Sequence, residues 1–179
     1  MMRSKQSASC AEGTGGLPPV IGDCPAVLIL GSSPSVISLQ KGEYYGNPRN
    51  HFWQLMERIA GVPADGSYTE RIAGLKERRI ALWDVLATCE RHASCDQSIR
   101  NPRANNIADV LDNNPSIACI ALNGKVGATR WMRRLMPDVM ERADIRIFFL
   151  PSSSPANARL SLEEKAVEWA RIMDCIKEK

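Results

Sequence analysis

Long apolar runs are missing from this chain. No stretch approaches the roughly 18 to 20 consecutive apolar residues that a membrane-spanning helix needs, and the longest are short segments such as residues 26–30 and 117–122. A soluble protein with no membrane partner is expected. Histidine is nearly absent: His51 and His92 are the two in 179 residues, which leaves little material for a Ser-His-Asp triad. The Gly-x-Ser-x-Gly elbow, His-Glu-x-x-His and a Gly-x-Gly-x-x-Gly following a strand are absent too, and Gly124-Lys125 is followed by Val126, so there is no Walker loop. These absences count against dinucleotide binding and nucleotide hydrolysis. Charge of one sign is also lacking, since 23 basic and 20 acidic residues leave a net charge of +3. That balance permits a nucleic-acid partner without demanding one.

What is present is ordinary for a globular domain. Hydrophobic residues make up 44% and charged residues 24%, which excludes a mostly disordered, collagen-like or coiled-coil protein. Residues 1–16 are rich in Ser and Gly and lack the apolar centre of a secretory signal, so they are expected to be a loose tail before one domain over residues 17–179. Six cysteines (Cys10, Cys24, Cys89, Cys95, Cys119, Cys175) are scattered through a chain long enough to build its own core. Free thiols in a reducing cytoplasm are the expectation. Cys89, His92 and Cys95 have a spacing that could supply three soft ligands, but no second pair accompanies them, and no metal is expected.

Residues 26–30 form a continuous aliphatic run stopped by Gly31 and Pro34, the pattern of a strand buried on both faces. From Asn50, Phe52, Trp53, Leu55, Met56 and Ile59 keep helical spacing up to Gly61, with Asn50 a possible N-cap. Residues 68–78 read as an exposed helix and 79–85 as a second strand. Residues 89–105 are polar, contain Pro102 and read mainly as a long surface loop before a short helix ending near Asn113. A third strand over 117–122, a helix over 126–136 and a fourth strand over 145–150 follow. Ser161 and Glu164 have the form of a capping box that opens the last helix. Strands alternating with helices imply an α/β fold, with right-handed crossovers and helices on both faces of a mainly parallel four-stranded sheet.

In such a sheet ligands lie outside the carboxyl ends of the strands, which directs attention to residues 31–50, 84–105, 123–125 and 151–159. The first loop crowds Tyr44, Tyr45, Gly46, Asn47 and Asn50 into one connection. Aromatic faces can stack on bases and an Asn can hold a water or read a base edge; equally, the tyrosines could pack the loop and the amides cap turns. The last loop, Pro151 to Arg159, offers clustered hydroxyls, backbone amides and an arginine suited to phosphate, or serves as a polar linker.

Taken together, Leu30-Gly31-Ser32-Ser33-Pro34-Ser35, the Tyr-Tyr-Gly-Asn-Pro-Arg-Asn-His-Phe-Trp run over 44–53, Leu82-Trp83-Asp84-Val85, Leu122-Asn123-Gly124-Lys125 and Leu150-Pro151-Ser152-Ser153-Ser154-Pro155-Ala156-Asn157 resemble the uracil-DNA glycosylase superfamily. Within it, the Tyr-Tyr-Gly-Asn-Pro and Pro-Ser-Ser-Ser-Pro-Ala-Asn forms look most like the hypoxanthine-DNA glycosylases. The resemblance implies a three-layer α/β/α sandwich and a monofunctional, metal-free glycosylase. Such an enzyme flips a deaminated base out of DNA and hydrolyses its bond to deoxyribose.

The resemblance also distributes roles. Related enzymes that act on mismatched uracil hold the attacking water with an Asn directly before the first-motif proline, where this chain has Ser33 before Pro34. Asn47 is therefore the first candidate for that water and Asn50 the second. Tyr45 takes the place of an aromatic that stacks on the flipped base, beside Gly31 and Ser32, and Asp84 or Asn123 would read the base's edge. Ser152, Ser153, Ser154 and Pro155 resemble a motif that pinches the phosphate backbone. Asn157 and Arg159 belong to the wedge, which here has no Leu. The cysteines do not fall at the positions of the iron–sulfur branches, so no cluster and no cofactor are expected. The implied partner is DNA bearing a deaminated base, and the implied protein a cytoplasmic, nucleoid-associated monomer. A glycosylase for uracil, thymine or xanthine, or a non-catalytic DNA-binding module with Ser33 marking lost chemistry, would use the same loops.

Overall fold

The computed structural model of the protein describes residues 15–90 and 98–177. Its centre is a four-stranded sheet in the order β2-β1-β5-β6, built from β1 (Val27–Gly31), β2 (Ile80–Asp84), β5 (Cys119–Asn123) and β6 (Arg146–Leu150). Every pairing among these four strands is parallel. The strands alternate strictly in what they feed. Val27 and Ile29 of β1, with Cys119 and Ala121 of β5, face one core. Leu28, Leu30, Ile120 and Leu122 face the other. Because side chains of a strand point alternately to opposite faces, a run buried on both sides reads as continuously aliphatic, and helices must cover both faces.

One face is covered by α2 (Phe52–Ala60), α3 (Tyr68–Glu77), α7 (Leu162–Ala170) and the short α8 (Asp174–Lys177). Phe52, Leu55, Met56, Leu75, Trp169 and Ile172 reach the sheet from these elements and the 3₁₀ turn before α8. The opposite face carries α4 (Ile107–Asn113), α5 (Arg130–Leu135) and α6 (Pro137–Met140), through Leu111, Trp131, Met132 and Val139. A further short helix, α1 (Val36–Lys41), lies in the first loop. The α/β/α sandwich read from the sequence is the fold observed. Gly61 ends α2 with φ +69°, a left-handed conformation that only glycine adopts without a Cβ penalty. Gly16 donates its N–H to Ala87 O and Val20 bridges to Leu82, so the chain is already tied to the β2 side of the sheet here. Residues 1–14 of the expected tail lie outside the described residues.

Three expectations need correction. The polar segment after residue 85 is an antiparallel arm, β3 (Leu86–Glu90) paired with β4 (Arg100–Ala104). Beyond Leu86, which is buried in the second core, its residues alternate neither in polarity nor in burial, because the arm pairs outside the main sheet. The helix expected from Val126 begins earlier, as a π-helical turn over Gly124–Thr129 that leads into α5. The third concerns the thiols: Cys119 and Cys175 form a disulfide, their Cα atoms 6.4 Å apart. One sits on β5 and the other on the last helix, so their proximity exists only once α8 packs on the sheet. Cys24 and Cys89 are free; Cys10, Cys95 and His92 lie outside the described residues.

The bridge closes a loop of 56 residues, and linking residues so distant restricts the unfolded chain. Cys175→Ser is expected to lower the unfolding free energy by about 2 to 4 kcal/mol in denaturant titrations without reductant. The difference from the wild type should shrink to that of a buried thiol-to-hydroxyl exchange when reductant is added; an undiminished gap would assign the loss to packing.

Candidate active site

The carboxyl ends of β1, β2 and β5 deliver Gly31, Asp84 and Asn123 to one edge of the sheet, with Gly31 directly opposite Asp84 in register. A cavity of about 260 Å³ opens above them. Residues 31–35 form one wall, Tyr45, Asn47 and Asn50 a second, and residues 152–156 a third. Three of the four loops singled out by the strand ends thus meet in one place, and the fourth contributes Asp84 at its start.

Gly31 is there for space. A Cβ at this position would collide with the Asp84 carboxylate and lie 3.2 Å from the Tyr45 hydroxyl. The Asp84 carboxyl, 4% exposed, therefore stands in the cavity floor where any other residue at 31 would displace it. Its main chain is fixed as well, since Asn105 Nδ2 donates to Asp84 O at 2.8 Å.

Asn123 is the tie between loops. Its Nδ2 donates to the Tyr45 hydroxyl and to Ser153 Oγ, each at 2.9 Å, and its Oδ1 accepts the Ser153 N–H at 2.9 Å. Both amide hydrogens are thereby engaged, and the residue is 9% exposed. Of the two candidates for reading a base edge, Asp84 keeps its carboxyl at the cavity while Asn123 braces the walls. Just beyond it, Gly124 has φ +102°, and a Cβ would come within 3.1 Å of Ser152 Cβ, so the chain turns here under the serine loop.

The two tyrosines divide their work. Tyr44, 3% exposed, donates its hydroxyl to Leu17 O and Pro18 O, while its backbone O accepts from Trp53 Nε1. Burial, with the Asp84 carboxyl nearby, pushes its phenol far above the ordinary value, and it anchors the loop. Tyr45 is half-buried, holds φ +52°, and stacks on Phe52 with ring centroids 3.8 Å apart and planes 14° from parallel. With one face on Phe52 and the hydroxyl held by Asn123, its ring is fixed in orientation at the cavity wall.

Asn47 sits one residue past Gly46, and Gly46 is clamped from both sides. Its N–H donates to Ser38 Oγ at 3.1 Å and its carbonyl accepts from Lys41 Nζ at 3.0 Å. Ser38, 2% exposed, is in turn bonded to the N-cap Ser35. These braces were not picked out from the sequence. Ser35 and Ser38 have the spacing of a cap and its third helical residue, but nothing in the sequence placed Gly46 against them. The Asn47 Oδ1 accepts from Arg49 N at 3.1 Å, which orients the side-chain amide. Asn50, the expected N-cap of α2, lies one residue before the observed cap: His51 is the N-cap, and Asn50 Oδ1 accepts from Phe52 N at 3.0 Å. Ser33 lines the cavity and accepts from Cys89 Sγ at 3.6 Å.

In the serine loop, Ser153 is fully buried, and its carbonyl accepts the His51 N–H at 3.0 Å. Ser152 Oγ accepts from Ser154 N and Ser154 Oγ from Ala156 N, a succession of side-chain turns that gives the loop its curl. Asn157 Nδ2 donates to Ser152 O. Neither Asn157 nor Arg159 lines the cavity; Arg159 is exposed beyond its rim.

The family model of the uracil DNA glycosylase superfamily matches residues 18–174. The chain belongs to that superfamily. It is 33% identical over 156 residues to a hypoxanthine DNA glycosylase of Methanosarcina barkeri, covering 87% of this chain and 94% of that one. It is 35% identical over 159 residues to a hypoxanthine DNA glycosylase of Methanosarcina acetivorans, with 88% and 96% covered. A solution NMR structure of a protein described as a uracil DNA glycosylase from Methanosarcina acetivorans superposes with a TM-score of 0.74 at 31% identity, covering 90% of this chain and 99% of that one. The superfamily match spans all five motifs, so the loops that meet at the cavity are the loops that carry the resemblance.

The Asn123 brace is open to a direct test. Asn123→Ala would strand the buried Ser153 N–H and Oγ, and leaving buried polar groups without partners costs about 1 to 3 kcal/mol each. A drop of at least about 2 kcal/mol in unfolding free energy is expected from chemical denaturation, with loss of Tyr45 ring ordering in NMR spectra; a change within 0.5 kcal/mol, roughly the noise of a surface substitution, would contradict the bracing role.

Proposed function

We propose that this protein is a monofunctional DNA glycosylase that removes hypoxanthine, the deaminated form of adenine, and leaves an abasic site. The observation that carries the reading is the convergence of Asn47, Tyr45 and Asp84 on one cavity at the carboxyl edge of the sheet. A base within a duplex is out of reach of such a cavity, so the nucleotide must be flipped into it.

Each side chain then has a task. The flipped base lies along the face of Tyr45, whose other face rests on Phe52. Hypoxanthine offers an N1–H donor beside its O6 acceptor, and the Asp84 carboxylate accepts that hydrogen. Adenine presents a bare N1 instead, and two acceptors facing each other in a buried site repel. As the glycosidic bond breaks, positive charge grows on the sugar and negative charge on the departing base. The sugar cation is electron-poor enough to take a weak nucleophile, so the water needs position more than a strong base. Asn47 Oδ1, already accepting from Arg49 N, retains one acceptor site for that water. The phosphates of the DNA, held over the serine loop, stabilise the cation electrostatically.

A second reading is favoured by one chemical fact: uracil presents an N3–H beside O4, the same donor and acceptor pattern toward Asp84. Pocket width must therefore separate purine from pyrimidine. Alkaline-revealed cleavage of labelled duplexes carrying inosine, uracil, xanthine or ethenoadenine distinguishes the two, with inosine expected to be cut fastest; cutting of uracil alone would establish the second reading.

Asn47→Ala is expected to slow single-turnover excision by roughly a hundredfold or more, whereas Asn50→Ala should act mainly on stability, by about 1 kcal/mol, through the start of α2. Full activity in both variants would remove the water-holding role from this loop. Asp84→Asn supplies a donor in place of an acceptor, so its ratio of inosine to adenine excision is expected to fall by at least about tenfold in paired oligonucleotide assays, and an unchanged ratio would assign base reading elsewhere.

A further inference from the structure

Lys165 on α7 is completely buried, a rare state for lysine, which is almost never fully buried without an opposite charge. Here the described residues contribute no carboxylate within ion-pair distance of its ammonium. Its partners are neutral: Nζ donates to the Asn157 carbonyl at 2.9 Å and lies 3.5 Å from His51 Nδ1. Both partners belong to DNA-facing segments of the proposed enzyme. Asn157 closes the serine loop through its bond to Ser152 O. His51 begins α2 directly after Asn50 and donates its backbone N–H to Ser153 O. The buried cation therefore sits beneath the junction of the first and last motif loops.

An uncompensated buried charge lowers stability, so a purely structural role is poorly served by lysine here. Methionine would fill the same volume without that cost. The counter-charge missing among the described residues is the charge that a nucleic-acid backbone brings.

We propose that Lys165 is a positioning residue whose buried cation is completed by a substrate phosphodiester over the serine loop, and which acts on it through Asn157 and His51. This rests on the DNA-binding reading above. An ammonium has no acceptor capacity, so its approach to Nδ1 requires that nitrogen to carry no proton and fixes the ring hydrogen on Nε2. The charged groups bearing on the ring are Lys165 and Glu163, both on α7, and Glu163 is paired with Arg58 of α2 at 2.9 Å. Burial and the Lys165 charge hold the imidazole below its ordinary value, against a smaller opposing pull from Glu163, and burial lowers the Lys165 ammonium likewise. His51 is thus neutral at pH 7, and its charge does not compete with that of Lys165.

The test uses the full chain and a duplex with a non-hydrolysable abasic-site analogue, so that it reads binding whether or not the protein excises a base. Lys165→Met is expected to unfold at no lower denaturant concentration than the wild type, to bind the duplex about tenfold more weakly, as for loss of one charge-assisted hydrogen bond, and to raise the His51 titration midpoint followed by ¹⁵N NMR. Lys165→Gln, which keeps a donor for Asn157 and loses the charge, should bind as weakly as Lys165→Met. Wild-type affinity in Lys165→Gln, a proton on His51 Nδ1 at neutral pH, or a stability loss in Lys165→Met with unchanged affinity would each overturn the proposal. Failure of the wild type to excise any base would strike the glycosylase reading alone and leave these binding and titration results decisive for Lys165.

Discussion

The side chain of Asn123 makes three hydrogen bonds to two loops that are far apart in sequence, and the candidate site depends on them. It reaches the Tyr45 hydroxyl in the first loop and both Oγ and N–H of Ser153 in the last. In a buried setting, groups such as the Ser153 amide cannot turn to water if the partner is removed. The two walls of the cavity are therefore spaced by one amide group at the end of β5. The His51 N–H to Ser153 O bond adds a second tie between the same loops. Loops joined at two points hold the walls of the cavity at a fixed spacing above the strand ends that form its floor.

That tie works because the sheet beneath it is rigid. The central strands β1 and β5 are buried on both faces, and their alternate side chains enter two separate cores. Gly31, Asp84 and Asn123 inherit their positions from the strands that carry them. The loops carry the chemistry and the strands carry the coordinates. The disulfide between Cys119 and Cys175 fixes the last helix to the opposite, amino-terminal end of β5, far along the strand from Asn123. The same strand is thus secured at one end by a covalent link and ties the active-site loops at the other.

Much of the fold was legible because its elements are locally consistent. The aliphatic runs, the Gly61 stop and the Ser161 to Glu164 capping box each carry their signal within a few residues. The β3 and β4 arm was not legible, since Arg100 to Ala104 has neither apolar alternation nor β-branched residues, and its pairing comes from chain reversal rather than burial. The π-helical turn at Gly124 has no local signature for a related reason: it answers to the close approach of Ser152, a residue 28 positions away. The site residues were visible as unusual loop composition, but that composition did not separate the anchoring Tyr44 from the stacking Tyr45, which differ in burial and not in type.

By itself the sequence determined the order of the four central strands and of the longer helices between them, the parallel sheet and the loops in which polar residues concentrate, because those follow from short-range periodicity and from the geometry of right-handed crossovers. Membership in the uracil DNA glycosylase superfamily was readable from the same motifs. Tertiary structure alone decided which groups face one another: Asn123 against Ser153, Lys165 beneath Asn157, Cys119 against Cys175. Each of these contacts joins residues at least 8 positions apart, and two join residues 30 and 56 apart. Such pairs meet only after the layers have packed, and no local propensity encodes the distance between them.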